Sequence, residues 1–360
     1  MAQGRPAAAV QGSVFPQTGN RLPSTKAEVA PPATVADAVG AIRRHGSGGD
    51  LRWKFTLGRA LAELAILATA RELNQPFEWS VHETEAIGWG LDPKVIDVVR
   101  HRRPLRGLNP TQAAIVQVTR ESVGGHRISP DTHARALKVL GEANLVDTVL
   151  LSANYVATAA RLTAINQQMP AEMVQWLPLP FKEPTDIHPD SRSRLPFIKQ
   201  QPLGNTSLYS REIAPYGTGP AQLGAHQGAR GALEAHLGPR LLNLAILVTA
   251  REHDQQYQWT MTEVAARRGG LEPAIIDVVR DRRPVTGLGE KEGVIIAFGR
   301  ELFSKGPVRA DTYAQALKVF GETDLTDLSN FMGQQSANAT ILNAFDQRLP
   351  AGQQPLLPMR

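Results

Sequence analysis

Cysteine is missing altogether from this chain. Its absence excludes disulfides, thiolate nucleophiles and cysteine-held iron–sulfur clusters, and it removes the usual sign of redox compartment. Long apolar runs are missing too: none approaches the roughly 18–20 residues of a membrane span. Aromatic residues make up only 6% of the chain, and the net charge of +5 is spread out rather than gathered into a Lys/Arg block interleaved with aromatics. Neither a membrane nor a nucleic acid is therefore expected as a partner. The nine histidines show no metal-ligand spacing such as His-x-x-x-His beside a carboxylate. No metal is expected, and His45, His101, His126, His133 and His188 read as solvated. The opening Met1–Ala9 carries no sustained apolar stretch, which predicts a cytoplasmic location, or a periplasmic one had a leader been removed.

What the chain does contain is a repeated text. Ala62–Glu72 reads AELAILATARE and returns as NLAILVTARE over Asn243–Glu252, and Glu78-Trp79-Ser80-Val81-His82 returns as Gln258-Trp259-Thr260-Met261-Thr262. The tryptophans stand 180 residues apart, and the same offset carries Val95–Arg100 onto Ile275–Arg280 and Ala136–Glu142 onto Ala316–Glu322. With 360 residues, 42% apolar and 20% charged, two soluble globular units in tandem are expected rather than one domain or a solenoid. Their boundaries are set at 21–180 and 194–360. Residues 1–20, rich in Ala, Gly, Gln and Pro, are expected to form a disordered tail. The Pro- and charge-rich stretch 181–193 is expected to be an exposed linker.

Each unit reads as helices, so the fold class is all-α. Leu61–Leu73 has a helical apolar period and is rich in Ala and Leu. Pro76 is placed to start the next helix, which runs to about Gly90. Gly90-Leu91-Asp92-Pro93 supplies a C′ glycine, an N-cap and a proline at N1. Further helices are expected from Asn109-Pro110 to about Val123, from an Asp131-Thr132 cap to about Leu140, and over Leu145–Gln167. No convincing period-two strand is present.

These phrases, with Arg21-Leu22-Pro23 and Arg194-Leu195-Pro196 opening the units, resemble the carboxymuconolactone decarboxylase family of the alkylhydroperoxidase D-like superfamily. The resemblance covers residues 60–168 and 240–348. It implies helical units that assemble through helix faces, here as a homo-oligomer of three chains, each a pseudo-dimer. In the peroxidase branch the motif is Cys-x-x-Cys-x-x-x-His with a glutamate twelve residues upstream. Its positions fall on Gln75, Glu78, His82 and Glu63. With both thiols absent, thiol peroxidase chemistry is excluded. What remains resembles the Glu-Trp-x-x-His form of the decarboxylase-like branch, which implies a cofactor-free lyase or isomerase acting on a small carboxylated lactone or related acid.

The candidate catalytic residues are therefore His82, Glu78 and Glu63. Glu78 and His82 are four apart and share one helix face. A carboxylate there would orient the imidazole and favour its charged form, suiting it to move a proton near neutral pH. The bland alternative is a solvated ion pair worth a few tenths of a kcal/mol. A simple hairpin leaves Glu63 about 16 Å along its helix from the turn, so the resemblance, not the spacing, implies that it reaches His82. In the second half these three positions hold Asn243, Gln258 and Thr262, a framework stripped of acid–base groups. Trp79, Arg100 and Arg103 are candidates for substrate binding, the arginines as a carboxylate clamp. All three recur downstream, however, which also fits core packing for Trp79 and a helix C-terminal cation for Arg100. A non-catalytic binding or assembly protein on the same scaffold stays open as the alternative function.

Overall fold

The computed structural model describes residues 14–24, 32–199 and 219–358. Among the described residues 61% are helical and there is no strand, only two isolated bridges, Phe15 to Asn20 and His188 to Ser193. The first half carries α1 (Val35–Arg43), α2 (Leu51–Lys54), α3 (Arg59–Glu72), α4 (Pro76–Gly88), α5 (Pro93–Arg100), α6 (Pro110–Thr119), α7 (Pro130–Leu140) and α8 (Glu142–Ala164). The second carries α9 (Gly219–Ala225), α10 (Arg230–Glu252), α11 (Gln256–Arg268), α12 (Pro273–Arg280), α13 (Glu290–Leu302) and α14 (Ala310–Ala344).

The helix ends follow from local chemistry. Asp92 caps α5 ahead of Pro93, and Asn109 with Gln112 forms a reciprocal capping box on α6. The cap of α7 is one turn-corner earlier than expected: Ser129, not Asp131, accepts from the Thr132 amide. The sixth helix also ends sooner, because its ladder widens into a π-turn over Arg120–Gly124. Gly141 (φ 76) breaks α7 from α8, and Gly321 (φ 73) bends α14 at the corresponding place; only glycine adopts this backbone without strain.

The two halves pack along α8 and α14. There Gly333 lets the helices close, since a Cβ at that position would lie 2.9 Å from the Ala157 carbonyl oxygen. The cores interpenetrate: Tyr257, Ile341 and Phe345 belong to the first, and Ala160 and Ala164 to the second. The loops before each unit are exchanged. Arg21 donates its amide to the Phe345 carbonyl (3.0 Å) and its guanidinium to Ile128 O (2.7 Å). Arg194 does the same with Ile165 O (2.8 Å) and Val308 O (2.7 Å).

This corrects two boundaries. Residues 1–13 of the expected tail lie outside the described residues, but Phe15–Asn20 is a packed turn in which Asn20 is 1% exposed. The expected linker is exposed only in its first part. Ser191 and Ser193 are fully buried, and Ser191 Oγ donates to Leu195 O at 2.5 Å. Polar residues are tolerated there because they satisfy the backbone of the docked loop.

Candidate active site

The α3–α4 hairpin turns at Leu73–Gln75, with the Gln75 side chain accepting from the Phe77 amide and Pro76 at N1. Glu63 stands about three turns and His82 about two turns from this corner, so antiparallel packing brings their side chains within reach of each other. Rise along α3 alone leaves Glu63 out of reach of the turn, but His82 also rises along α4, and the two offsets largely cancel. His82 Nδ1 and Glu63 Oε2 are 2.6 Å apart, and the two residues are 5% and 0% exposed.

Glu63 is also held by Arg59, whose Nη2 lies 2.5 Å from Oε1. Arg59 in turn donates to the Arg52 carbonyl. Its guanidinium lies 4.3 Å from the Trp53 ring centre and 5.4 Å from that of Trp89. The Tyr155 ring of α8 meets the imidazole edge-on at 4.9 Å.

The electrostatics assign the proton. Burial alone would raise the Glu63 carboxyl, but His82 and its hydrogen bond, with Arg59 and Arg52, outweigh it and hold the group below the usual carboxylate range. Burial pushes His82 below the usual imidazole range, Glu63 opposing only in part. The expected charged imidazole is thus corrected to a neutral one. An ionised Glu63 can only accept, so Nδ1–H is the donor and Nε2 carries the lone pair. Among the described residues Nε2 has no hydrogen-bond partner.

Glu78 behaves differently from expectation. It does not pair with His82; both of its oxygens are buried without a hydrogen-bond partner. Helix geometry permits the i,i+4 contact but does not compel it, and α3 offers His82 a better acceptor. Burial holds the Glu78 carboxyl well above the usual range, with Arg161 and Arg52 opposing. The site thus combines a neutral base with a carboxyl that keeps its proton, two groups whose environments push them apart.

Trp79, Arg100 and Arg103 are engaged elsewhere. Trp79 is fully buried and its Nε1 donates to Glu83 Oε2 at 2.6 Å, while Arg100 pairs with Glu83 Oε1. Trp259 repeats this on Glu263 at 2.7 Å, as does Arg280 at 2.7 Å. Arg103 is 57% exposed and pairs with Asp97. These contacts serve the framework, and a carboxylate clamp at Arg100 and Arg103 is not what forms. Nor are all five histidines solvated. His133 is 6% exposed, and His126 stacks on His253 at 5.1 Å across the seam between the halves.

Four site residues escaped the sequence: Arg52, Arg59, Tyr155 and Arg161. At the half-to-half offset they face Ala232, Pro239, Gln335 and Ile341, so the comparison that exposed Glu63, Glu78 and His82 also carried their signal. In the second half Gln258 donates to Gln335 Oε1 at 3.0 Å, an amide pair where the first half has Glu78 and Tyr155. Among the described residues no group of three or more His, Asp or Glu side chains is arranged to hold a metal ion, and no helix is long and apolar enough to cross a membrane. Comparison with known protein families, with characterised proteins and with solved structures finds no match for the chain.

Proposed function

We propose that the first half is a carboxymuconolactone decarboxylase-like lyase or isomerase, working without a cofactor on a small carboxylated lactone or related acid. The observation that carries this reading is the buried Glu63–His82 hydrogen bond of 2.6 Å beside a partnerless Glu78. Glu63 positions the imidazole; His82 Nε2 takes a proton; Glu78 supplies one. In an isomerisation, His82 removes a proton next to the lactone carbonyl and Glu78 returns one at another carbon. In a decarboxylation, the carbon–carboxylate bond breaks and CO2 leaves. The electron pair passes into the lactone carbonyl as an enolate, and the proton of Glu78 closes the new C–H bond. Tyr155 and the arginines stand where an anionic intermediate would gain from them.

The duplication of the unit belongs to this reading, as does assembly of three chains into a ring; the exposed Trp89, Leu137 and Val139 are faces such assembly would cover. The alternative, a binding or assembly protein without turnover, is favoured by the loss of acid–base groups at Asn243, Gln258 and Thr262. A panel of carboxylated lactones, followed by CO2 release and by product isomerisation, separates the two. The enzyme reading expects turnover of at least one member, and none on any member favours the alternative.

A further inference from the structure

The arginines around the site are not equally committed. Arg59 is spent on Glu63 and on the Arg52 carbonyl, and Arg161 Nη2 donates to Thr158 Oγ1 at 2.8 Å. Arg52 differs: its Nε and Nη2, neighbours on one guanidinium, are both buried with no hydrogen-bond partner. Glu85 Oε1 forms an ion pair with Nη2 at 3.8 Å, too long for a hydrogen bond, so the N–H groups themselves stay unmade. Cationic N–H groups left buried and unmade are costly, and a ligand that satisfies them recovers that cost. Arg59 and Arg161 each leave only Nε in that condition, so among these described arginines Arg52 alone offers a free two-pronged edge, and both oxygens of Glu78 are unpartnered beside it.

We propose that Arg52 is the anchor for a substrate carboxylate, its paired N–H groups gripping the two oxygens while the protonated Glu78 donates to one of them. The proposal takes from the acid–base reading only the place where the substrate lies. Geometry puts Arg52 beside the pair: its guanidinium and that of Arg59 lie over the same Trp53 ring, at 5.1 and 4.3 Å. Arg52 is also among the charges that act on His82, Glu78 and Tyr155. A planar two-oxygen monoanion matches one guanidinium fork and one O–H donor. A phosphate dianion would add charge against Glu63 without a second uncommitted fork.

None of these atoms meets solvent in this conformation, so the anion enters when α2 moves. The four-residue α2 is built for that: Gly48 and Gly49 (φ 73 and 83) precede it and Gly58 (φ 94) follows. The second half has Ala232 in place of Arg52, on the regular first part of α10 before Gly238.

Isothermal titration of the full chain with benzoate, and separately with inorganic phosphate, tests the anchor. Wild type is expected to bind benzoate at least about ten-fold more tightly than phosphate. Arg52→Gln should lose at least ten-fold in benzoate affinity, Arg52→Lys should fall between, and the exposed Arg103→Gln should match wild type. Benzoate binding that is absent from wild type, unchanged in both Arg52 variants, or no tighter than phosphate overturns the proposal. If benzoate affinity ignores Arg52 while lactone acids are still turned over, the anchor fails and the acid–base reading stands. If affinity depends on Arg52 but no lactone acid is turned over, the reverse holds.

Discussion

Glu63 and His82 lie 19 residues apart in sequence and on different helices, yet they share a 2.6 Å hydrogen bond in the interior. Each ordinarily sits in water; together they are tolerated because Arg59 adds a cation and the imidazole stays neutral. A buried charge with its partners in place is stable, and the same charge with one partner removed is not.

Glu63→Gln removes the anion that holds both Arg59 and His82. Urea unfolding should show a loss of about 3–5 kcal/mol, the range for breaking a buried pair. Turnover should fall roughly 100-fold, because the imidazole loses its orienting acceptor. Unfolding midpoints equal to wild type would mean the pair is not formed in solution.

Glu78 makes stability depend on pH. Its folded pKa lies above its ordinary value of 4.5. Its contribution is therefore whole below that value and is lost as pH rises toward the folded one. Glu78→Gln is neutral throughout. It should melt with wild type near pH 4 and melt higher than wild type near pH 8, by on the order of a few °C. A variant that melts lower at the alkaline end contradicts the assignment.

The pH–rate profile should lose activity on acidification as His82 takes a proton, with the limb below the ordinary imidazole value of 6.5. Since Glu63 raises His82 against burial, Glu63→Gln should move that limb to still lower pH. A limb above 6.5 in wild type, or a shift the other way, would count against a neutral, buried base.

Much of the helical framework is legible in the sequence. Prolines, glycines and cap residues marked the helices, because those effects are local. The broken symmetry between Glu63, Glu78, His82 and Asn243, Gln258, Thr262 marked the site. The pairing within it was not legible: the i,i+4 spacing favoured Glu78 for His82, but partner choice was settled by α3 packing on α4. Arg52 and Tyr155 arrive from α2 and α8, and only tertiary packing brings them in. Ser191 and Ser193 looked like linker because their polarity is spent on buried backbone, which composition does not reveal.

Glu83 and Glu263 test the framework. Glu83 accepts from a buried tryptophan and one arginine, and Glu263 from a buried tryptophan and both Arg267 and Arg280, so Glu83→Gln should cost about 2–4 kcal/mol and Glu263→Gln at least as much by chemical denaturation. Arg103→Gln breaks only an exposed pair and should cost about 1 kcal/mol or less. A silent Glu83→Gln beside a costly Arg103→Gln would reverse the roles given to them.

The central claim is that proton chemistry belongs to the first half alone. It is tested most directly by measuring kcat/KM on a lactone acid that the wild type turns over, in His82→Ala and Thr262→Ala side by side. These are matching positions of the two halves. The expected result is a loss of about 100-fold or more in His82→Ala, in the range for removing a general base, with Thr262→Ala at the wild-type rate. Equal rates in His82→Ala and wild type would contradict it.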